Sequence, residues 1–284
     1  MSASKPLLML LVASVLFCQQ VQADQKSLAM LSGLPSQESW TVIDTRNRST
    51  CIKETLQGAV CFSSEELIDN TGRLPSFKKI AWLLGTYGLS GEETLLVTGN
   101  SKQEKHFIAG ILYLMGQKQV MIVARELDTL LKEHHTGGGR SRAQNRMAIY
   151  TANPRQQHML FKTELKAMLS EGVHMRILDA RSEDEYWGKQ VTGLRGGHIP
   201  GAEPWNFSLA ALLRKAITAS QTIIYANDPI GSIDAFVRLK LIQPGPVAVL
   251  INGWRSWASD PDMPVDAQVF GQIQNNIFNP RSNS

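Results

Sequence analysis

Short apolar runs alternate along this chain with longer stretches of helical periodicity. Trp40-Thr41-Val42-Ile43-Asp44 has strand composition and ends on the polar Asp44-Thr45-Arg46, and Pro75 to Tyr87 places Ile80, Leu83 and Leu84 at helical spacing. A second apolar run, Thr94 to Val97, leads into Thr98-Gly99-Asn100-Ser101; Phe107 to Met115 continue as a helix, and Val120 to Val123 predict the next strand. Such alternation predicts an α/β domain whose open, mostly parallel sheet carries helices on both faces. The pattern then recurs. Arg176-Ile177-Leu178-Asp179-Ala180-Arg181 echoes Val42 to Arg46, Ile223-Ile224-Tyr225 echoes Leu95 to Val97, and Pro246 to Ile251 echoes Gln119 to Val123. Asp179 stands 135 positions after Asp44. A tandem duplication accounts for this, and two domains suit 284 residues.

The stretch Gln221 to Ala235 concentrates the candidate chemistry. Ile223 to Tyr225 predict a buried strand, Asn227, Asp228, Pro229 and Gly231 a tight loop, and Ser232 onward an amphipathic helix. A loop of this kind aims backbone N–H groups and a helix N-terminus at one spot, which favours an anion or a thiolate of lowered pKa. The residue at the end of the strand, where a nucleophile would stand, is Ala226. A methyl group attacks nothing.

Composition adds the setting. A hydrophobic fraction of 43% and a charged fraction of 19% describe a folded protein. Lys5, the apolar run Pro6 to Phe17 and Val21-Gln22-Ala23 predict a secretory signal peptide over residues 1–23, with Cys18 discarded alongside it. The mature chain then starts near Asp24, periplasmic or secreted, and no later segment of membrane-spanning length appears. Loss of Lys5 leaves 28 basic against 25 acidic residues, a net charge of +3 that gives no footprint for nucleic acid. Cys51 and Cys61 remain, an even pair that in an oxidising compartment suggests a disulfide. His134-His135-Thr136-Gly137-Gly138-Gly139-Arg140 reads as a flexible basic connection over 134–148, between domains at 24–133 and 149–284. No strand feeds it and no Gly-Lys-Ser/Thr ending follows, which argues against a phosphate-binding loop. Adjacent histidines without a Cys or carboxylate cluster argue against a metal, and no cofactor is expected.

The second half resembles the rhodanese (sulfurtransferase) family. The residues are Asp179-Ala180-Arg181-Ser182, Tyr186 and Gly188, Gly197-His198-Ile199-Pro200-Gly201-Ala202, and Asn252-Gly253-Trp254-Arg255-Ser256-Trp257. The first half is similar more faintly, with Asp44 14 residues before Gly58-Ala59 and the His-Ile-Pro-Gly-Ala motif replaced by Thr55-Leu56-Gln57-Gly58-Ala59. The resemblance implies two tandem rhodanese-like domains. It also implies a loop cysteine that carries sulfane sulfur as a persulfide in active members. By position that cysteine is Ala226 in the second domain and Gly99 in the first. Basic residues commonly follow it in active two-domain members, whereas here Asp228 would repel an anionic donor.

The remaining candidates each carry two readings. Arg181 can contact an anion or pair with Asp179 or Glu185; His198 can act as a base or hold its turn through backbone bonds. Trp187, Trp205, Trp254 and Trp257 can form a ligand wall or fill the core. Lys102 is a cation at the first loop or a solvated surface residue. The expectation is a binding or scaffolding module, silent as a sulfurtransferase, whose loop of Asn227, Asp228, Ile230, Gly231 and Ser232, with Arg181, meets a small anion or an unknown protein partner. The rival is a sulfurtransferase or thiol-redox enzyme working through Cys51 or Cys61.

Overall fold

The structure is a computed structural model that describes residues 27–36, 40–205, 221–243 and 245–267. The expected signal peptide, with Cys18, lies outside the described residues. The described residues divide into two compact units, those up to 63 with 77–154 and 64–76 with those from 155 on. Residues 134–154, expected as linker and as the start of the second domain, therefore lie with the first unit.

In the first unit, strands β1 (Leu28–Leu31), β2 (Thr41–Asp44), β4 (Val60–Cys61), β5 (Thr94–Thr98) and β6 (Gln119–Val123) form a parallel sheet ordered β1-β6-β5-β2-β4. In the second, β8 (Met159–Leu160), β9 (Arg176–Asp179), β10 (Ala202–Pro204), β11 (Thr222–Tyr225) and β12 (Val247–Leu250) are ordered β8-β12-β11-β9-β10, again all parallel. The two orders are the same when read in register. Ile43 pairs with Val97 as Leu178 pairs with Ile224, so the repeat seen in the sequence extends to sheet topology.

Helices α1 (Arg48–Lys53), α2 (Phe77–Thr86), α3 (Lys102–Leu114) and α4 (Leu127–Leu130) accompany the first sheet. The second carries α5 (Lys162–Ser170), α6 (Glu183–Tyr186), α7 (Pro229–Ile242) and α8 (Gly253–Ala258). The strands are apolar on both sides, as a sheet covered on both faces requires: Leu95, Val97, Val120 and Val123 are fully buried in one unit, and Ile223, Ile224, Val247 and Val249 in the other. Two helices begin earlier than the apolar spacing predicts. The Ser101 hydroxyl accepts from the Glu104 N–H at 3.2 Å and starts α3 five residues before Phe107. Asp228 caps α7 with Pro229 in the first turn, ahead of Ser232. Polar first turns are set by capping, which hydrophobic periodicity does not register.

The triple glycine is a place of close approach rather than a free hinge. Strand β7 (Thr136–Gly137) pairs antiparallel with β3 (Thr55–Leu56), the Gly139 N–H donates to Cys51 O at 3.1 Å, and the Arg140 N–H donates to Ala59 O at 2.9 Å. A Cβ on Gly139 would run into Cys61 Sγ and lie 2.7 Å from Cys51 Sγ, so only glycine lets the backbone pass here. Farther on, Met147 and Ala148 donate to Gly85 O at 2.9 and 3.0 Å, Thr151 donates to Ser90 O at 2.9 Å, and buried Tyr150 bonds Gln117 at 3.2 Å. Residues 136–151 are thus a strap laid across the first unit.

Candidate functional site: two closed loops

Each candidate loop leaves the C-terminal end of a central strand, β5 or β11, and enters a helix. Gly99 to Lys105 align with Ala226 to Ser232, 127 positions later, so Asn100 matches Asn227, the cap Ser101 matches the cap Asp228, and Lys105 matches Ser232.

In the second unit Ala226 is buried, and its surroundings are already bonded. Its N–H donates to Ser232 Oγ at 3.0 Å, and its carbonyl accepts from the Trp254 N–H at 2.8 Å. The Asp228 carboxylate accepts from the Gly231 N–H at 3.0 Å, and the Asp228 carbonyl accepts from the Ser232 N–H at 2.9 Å. The anion at the start of α7 is therefore the chain's own carboxylate, in the place where the helix dipole favours negative charge. Arg255 pairs with it at 3.4 Å and donates its N–H to Asn227 O at 2.9 Å. Gly253, at φ +61°, allows this approach, since a Cβ there would lie 2.6 Å from Ala226 O. The Asn227 side chain is held from both ends, donating to Glu185 Oε1 at 2.7 Å and accepting from Thr192 Oγ1 at 2.7 Å. Burial pushes the Glu185 carboxyl up, but the Asn227 and Ser182 hydrogen bonds more than offset it and hold the group below its ordinary value. Ile230 sits half-buried in the first turn of α7.

Arg181 is committed to structure. Its guanidinium bonds Asp179 at 3.0, 3.1 and 2.6 Å and Gly197 O at 2.7 Å, and lies 4.3 Å from the Trp254 ring. Burial opposes its charge, but the Asp179 carboxylate outweighs burial and raises its pKa. Tyr225 completes the cluster, donating from its hydroxyl to Asp179 at 2.6 Å and accepting from the Ile199 N–H at 3.2 Å. Burial, then Asp179, pushes its phenol well above the ordinary value. His198 stacks on Tyr186 with centroids 3.8 Å apart and meets Tyr186 O through Nδ1 at 3.0 Å, so it holds its turn. Trp254 and Trp257 are fully buried core, Trp205 is buried, and Trp187 packs edge-on to Tyr186.

The first unit closes the same loop differently. A Cβ on Gly99 would collide with Thr45 Oγ1, so a side chain does not fit at the position aligned with Ala226. Lys102 is exposed. The buried cation is Lys105, whose Nζ donates to Val123 O at 2.7 Å and to Ala124 O and Arg125 O at 3.1 Å. Burial lowers its pKa. Arg46 repeats Arg181: it bonds Asp44 at 3.2, 3.1 and 2.8 Å, then Glu54 O at 2.6 Å, and adds the exposed Asp128 at 3.2 Å. Gly58 and Gly201, at φ +78° and +76°, occupy matching turns. Cys51 and Cys61, both buried, have their sulfurs 2.04 Å apart and Cα atoms 5.7 Å apart beneath Gly139.

Lys105 and Thr192 were not singled out in the sequence, Arg255 was noted only within its motif, and Glu185 was expected beside Arg181 rather than on Asn227. Lys105 was findable by aligning the two loops, which sets it opposite Ser232; the others reach the loop from distant segments and leave no local signal.

Residues 161–260 match the rhodanese-like domain family. No curated protein matches the chain. Among solved structures, wild-type EanB is 15% identical, with a TM-score of 0.66, over 82% of this chain and 65% of that one. YnjE is 17% identical, with a TM-score of 0.65, over 82% of this chain and 63% of that one. An EanB variant in complex with ergothioneine is 15% identical, with a TM-score of 0.65, over 82% of this chain and 66% of that one. The match thus spans just under two thirds of the first of these structures. Residues 161–260 thus carry a rhodanese-like domain, and the chain shares the fold of these solved structures over most of its length.

Proposed function

We propose that this is an exported tandem rhodanese-like protein that performs no sulfur transfer and works as a binding or scaffolding module. The fold is that of a sulfurtransferase-related family, and one related EanB structure is described as carrying a cysteine persulfide in a tetrahedral intermediate state with ergothioneine. Persulfide chemistry needs a thiolate. The observation that carries the reading is Ala226 at the head of a loop in which the Ala226 N–H is bonded to Ser232 and the Gly231 and Ser232 N–H groups to Asp228. A missing nucleophile removes the sulfur carrier. A built-in carboxylate removes the attraction for an anionic donor as well. Gly99, walled in by Thr45, supports the same reading for the first unit.

The rival enzyme would work through Cys51 or Cys61. Their burial and their sulfur separation disfavour it, because a sulfur acceptor needs an accessible thiolate. The test is intact-mass spectrometry of the native protein before and after thiosulfate, then after cyanide. The expected result is no free thiol and no added sulfur. A gain of about 32 Da that cyanide removes would establish a sulfurtransferase with a relocated nucleophile.

A further inference from the structure

We infer a ligand site in the first unit, away from both loops, that takes an aromatic anion such as an aryl sulfonate or aryl carboxylate. It is a cavity of about 430 Å³ lined by Lys78, Lys79, Ala81, Trp82, Arg146 and Tyr150, a volume suited to a small organic ligand.

Helix α2 supplies one wall. Its Ile80, Leu83 and Leu84 face the core, whereas Lys78 and Trp82, one turn apart, are exposed, with Trp82 at 47%. Trp82 thus presents indole surface to solvent beside Lys78. The strap supplies the other wall. Arg146 is exposed, yet its stem runs against Gly85, where a Cβ would lie 2.8 Å from both Arg146 Cγ and Cδ. Gly85 is thus required for the strap to lie close enough to bring this guanidinium to the rim. Tyr150 is anchored by its bond to Gln117. The strap backbone, bonded to Gly85, and Tyr150 are therefore fixed before any ligand arrives, which lowers the cost of binding.

Charge and shape choose the ligand. Lys78 and Arg146 bring two exposed cations to the rim, so the complementary ligand carries negative charge. The uncharged lining is Trp82, Tyr150 and Ala81, which offers flat apolar surface to a ring. A ring with one acidic substituent meets both requirements. Inorganic anions meet only the first.

The test uses the whole protein, ¹⁵N-labelled, with naphthalene-1-sulfonate as probe and neutral naphthalene-1-methanol as its uncharged counterpart; Trp82→Phe assigns the Trp82 indole signal. The expected result is saturable shifts of that signal with a dissociation constant on the order of 0.1–1 mM. Binding should be about tenfold weaker for the neutral probe and for Lys78→Glu/Arg146→Glu, two exposed substitutions that leave the core untouched. Equal binding of the two probes, or binding unchanged by charge reversal, would overturn the site. So would association with phosphatidylglycerol vesicles in the absence of any saturable shift, which would make the patch a membrane-facing surface.

Discussion

Loops Gly99–Lys105 and Ala226–Ser232 occupy equivalent places in two copies of one fold, and each is closed by a different group. In the first unit an ammonium, Lys105, reaches under the loop and gathers three carbonyls at the end of β6. In the second a carboxylate, Asp228, takes the start of α7 and leaves Ser232 to bond Ala226. The capping role is shared, Ser101 accepting from Glu104 as Asp228 does from Gly231; the difference lies one turn on, where Lys105 reaches out to β6 and Ser232 turns back to Ala226. The comparison separates what the fold fixes, a strand-loop-helix turn that gathers polar backbone groups, from what the sequence decides, namely which group satisfies them.

The shared Asp-x-Arg cluster gives the sharpest contrast. Arg181 and Asp179 have side-chain exposures of 1% and 0%, so Asp179→Ala strands a buried cation and should cost the second unit about 3–5 kcal/mol in urea unfolding. Arg46 is 12% exposed and keeps Asp128 and Glu54 O, so Asp44→Ala should cost about half as much. Equal losses would show that the two clusters are not graded by burial.

Reductant separates the units next. The two cysteines after the predicted signal peptide both lie in the first unit. Opening a loop of this length should cost it roughly 3 kcal/mol and leave the second unfolding step unmoved. Lys105→Met leaves three carbonyls short of a donor and should destabilise the first unit by about 2–3 kcal/mol. Ser232→Ala, which frees one N–H, should cost the second about 1–2 kcal/mol. Thermal melts that reversed this order would contradict the assigned roles.

The smallest effect is acidic. Glu185 has a depressed pKa in the folded state, so its contribution is present above the unfolded value near 4.3 and is lost as pH falls through the folded value. Asn227→Ala should flatten that part of the second unit's pH–stability curve. An unchanged curve would remove Asn227 as the cause. At the alkaline end, the raised Tyr225 keeps its contribution below the unfolded value near 10 and loses it at higher pH.

Much of this was legible in the sequence, because strands buried on both faces read as apolar runs and the Asp-x-Arg and Gly-Ala turns recur in order. Helix starts were not, since Ser101 and Asp228 act through capping rather than hydrophobicity. The strap was read as flexible because glycine serves both freedom and close approach, and only the sulfurs of Cys51 and Cys61 under Gly139 tell the two apart. Of the candidate site, the strand–loop–helix turn with Ala226 at the end of its strand was legible. Its occupancy was not: the bonds of Asp228 to Gly231 and of Asn227 to Glu185 depend on how the chain folds back.

The proposed loss of sulfur transfer in the second unit rests on Ala226 and on the carboxylate of Asp228. Thiol alkylation rates against pH, compared between Ala226→Cys and Ala226→Cys/Asp228→Ser, test it most directly. The expected result is a thiol at or above its ordinary pKa of about 8.5 in the single variant and a clearly lower one in the double, because serine keeps the cap without the charge. A low-pKa thiol in the single variant, unchanged by removing Asp228, would contradict it.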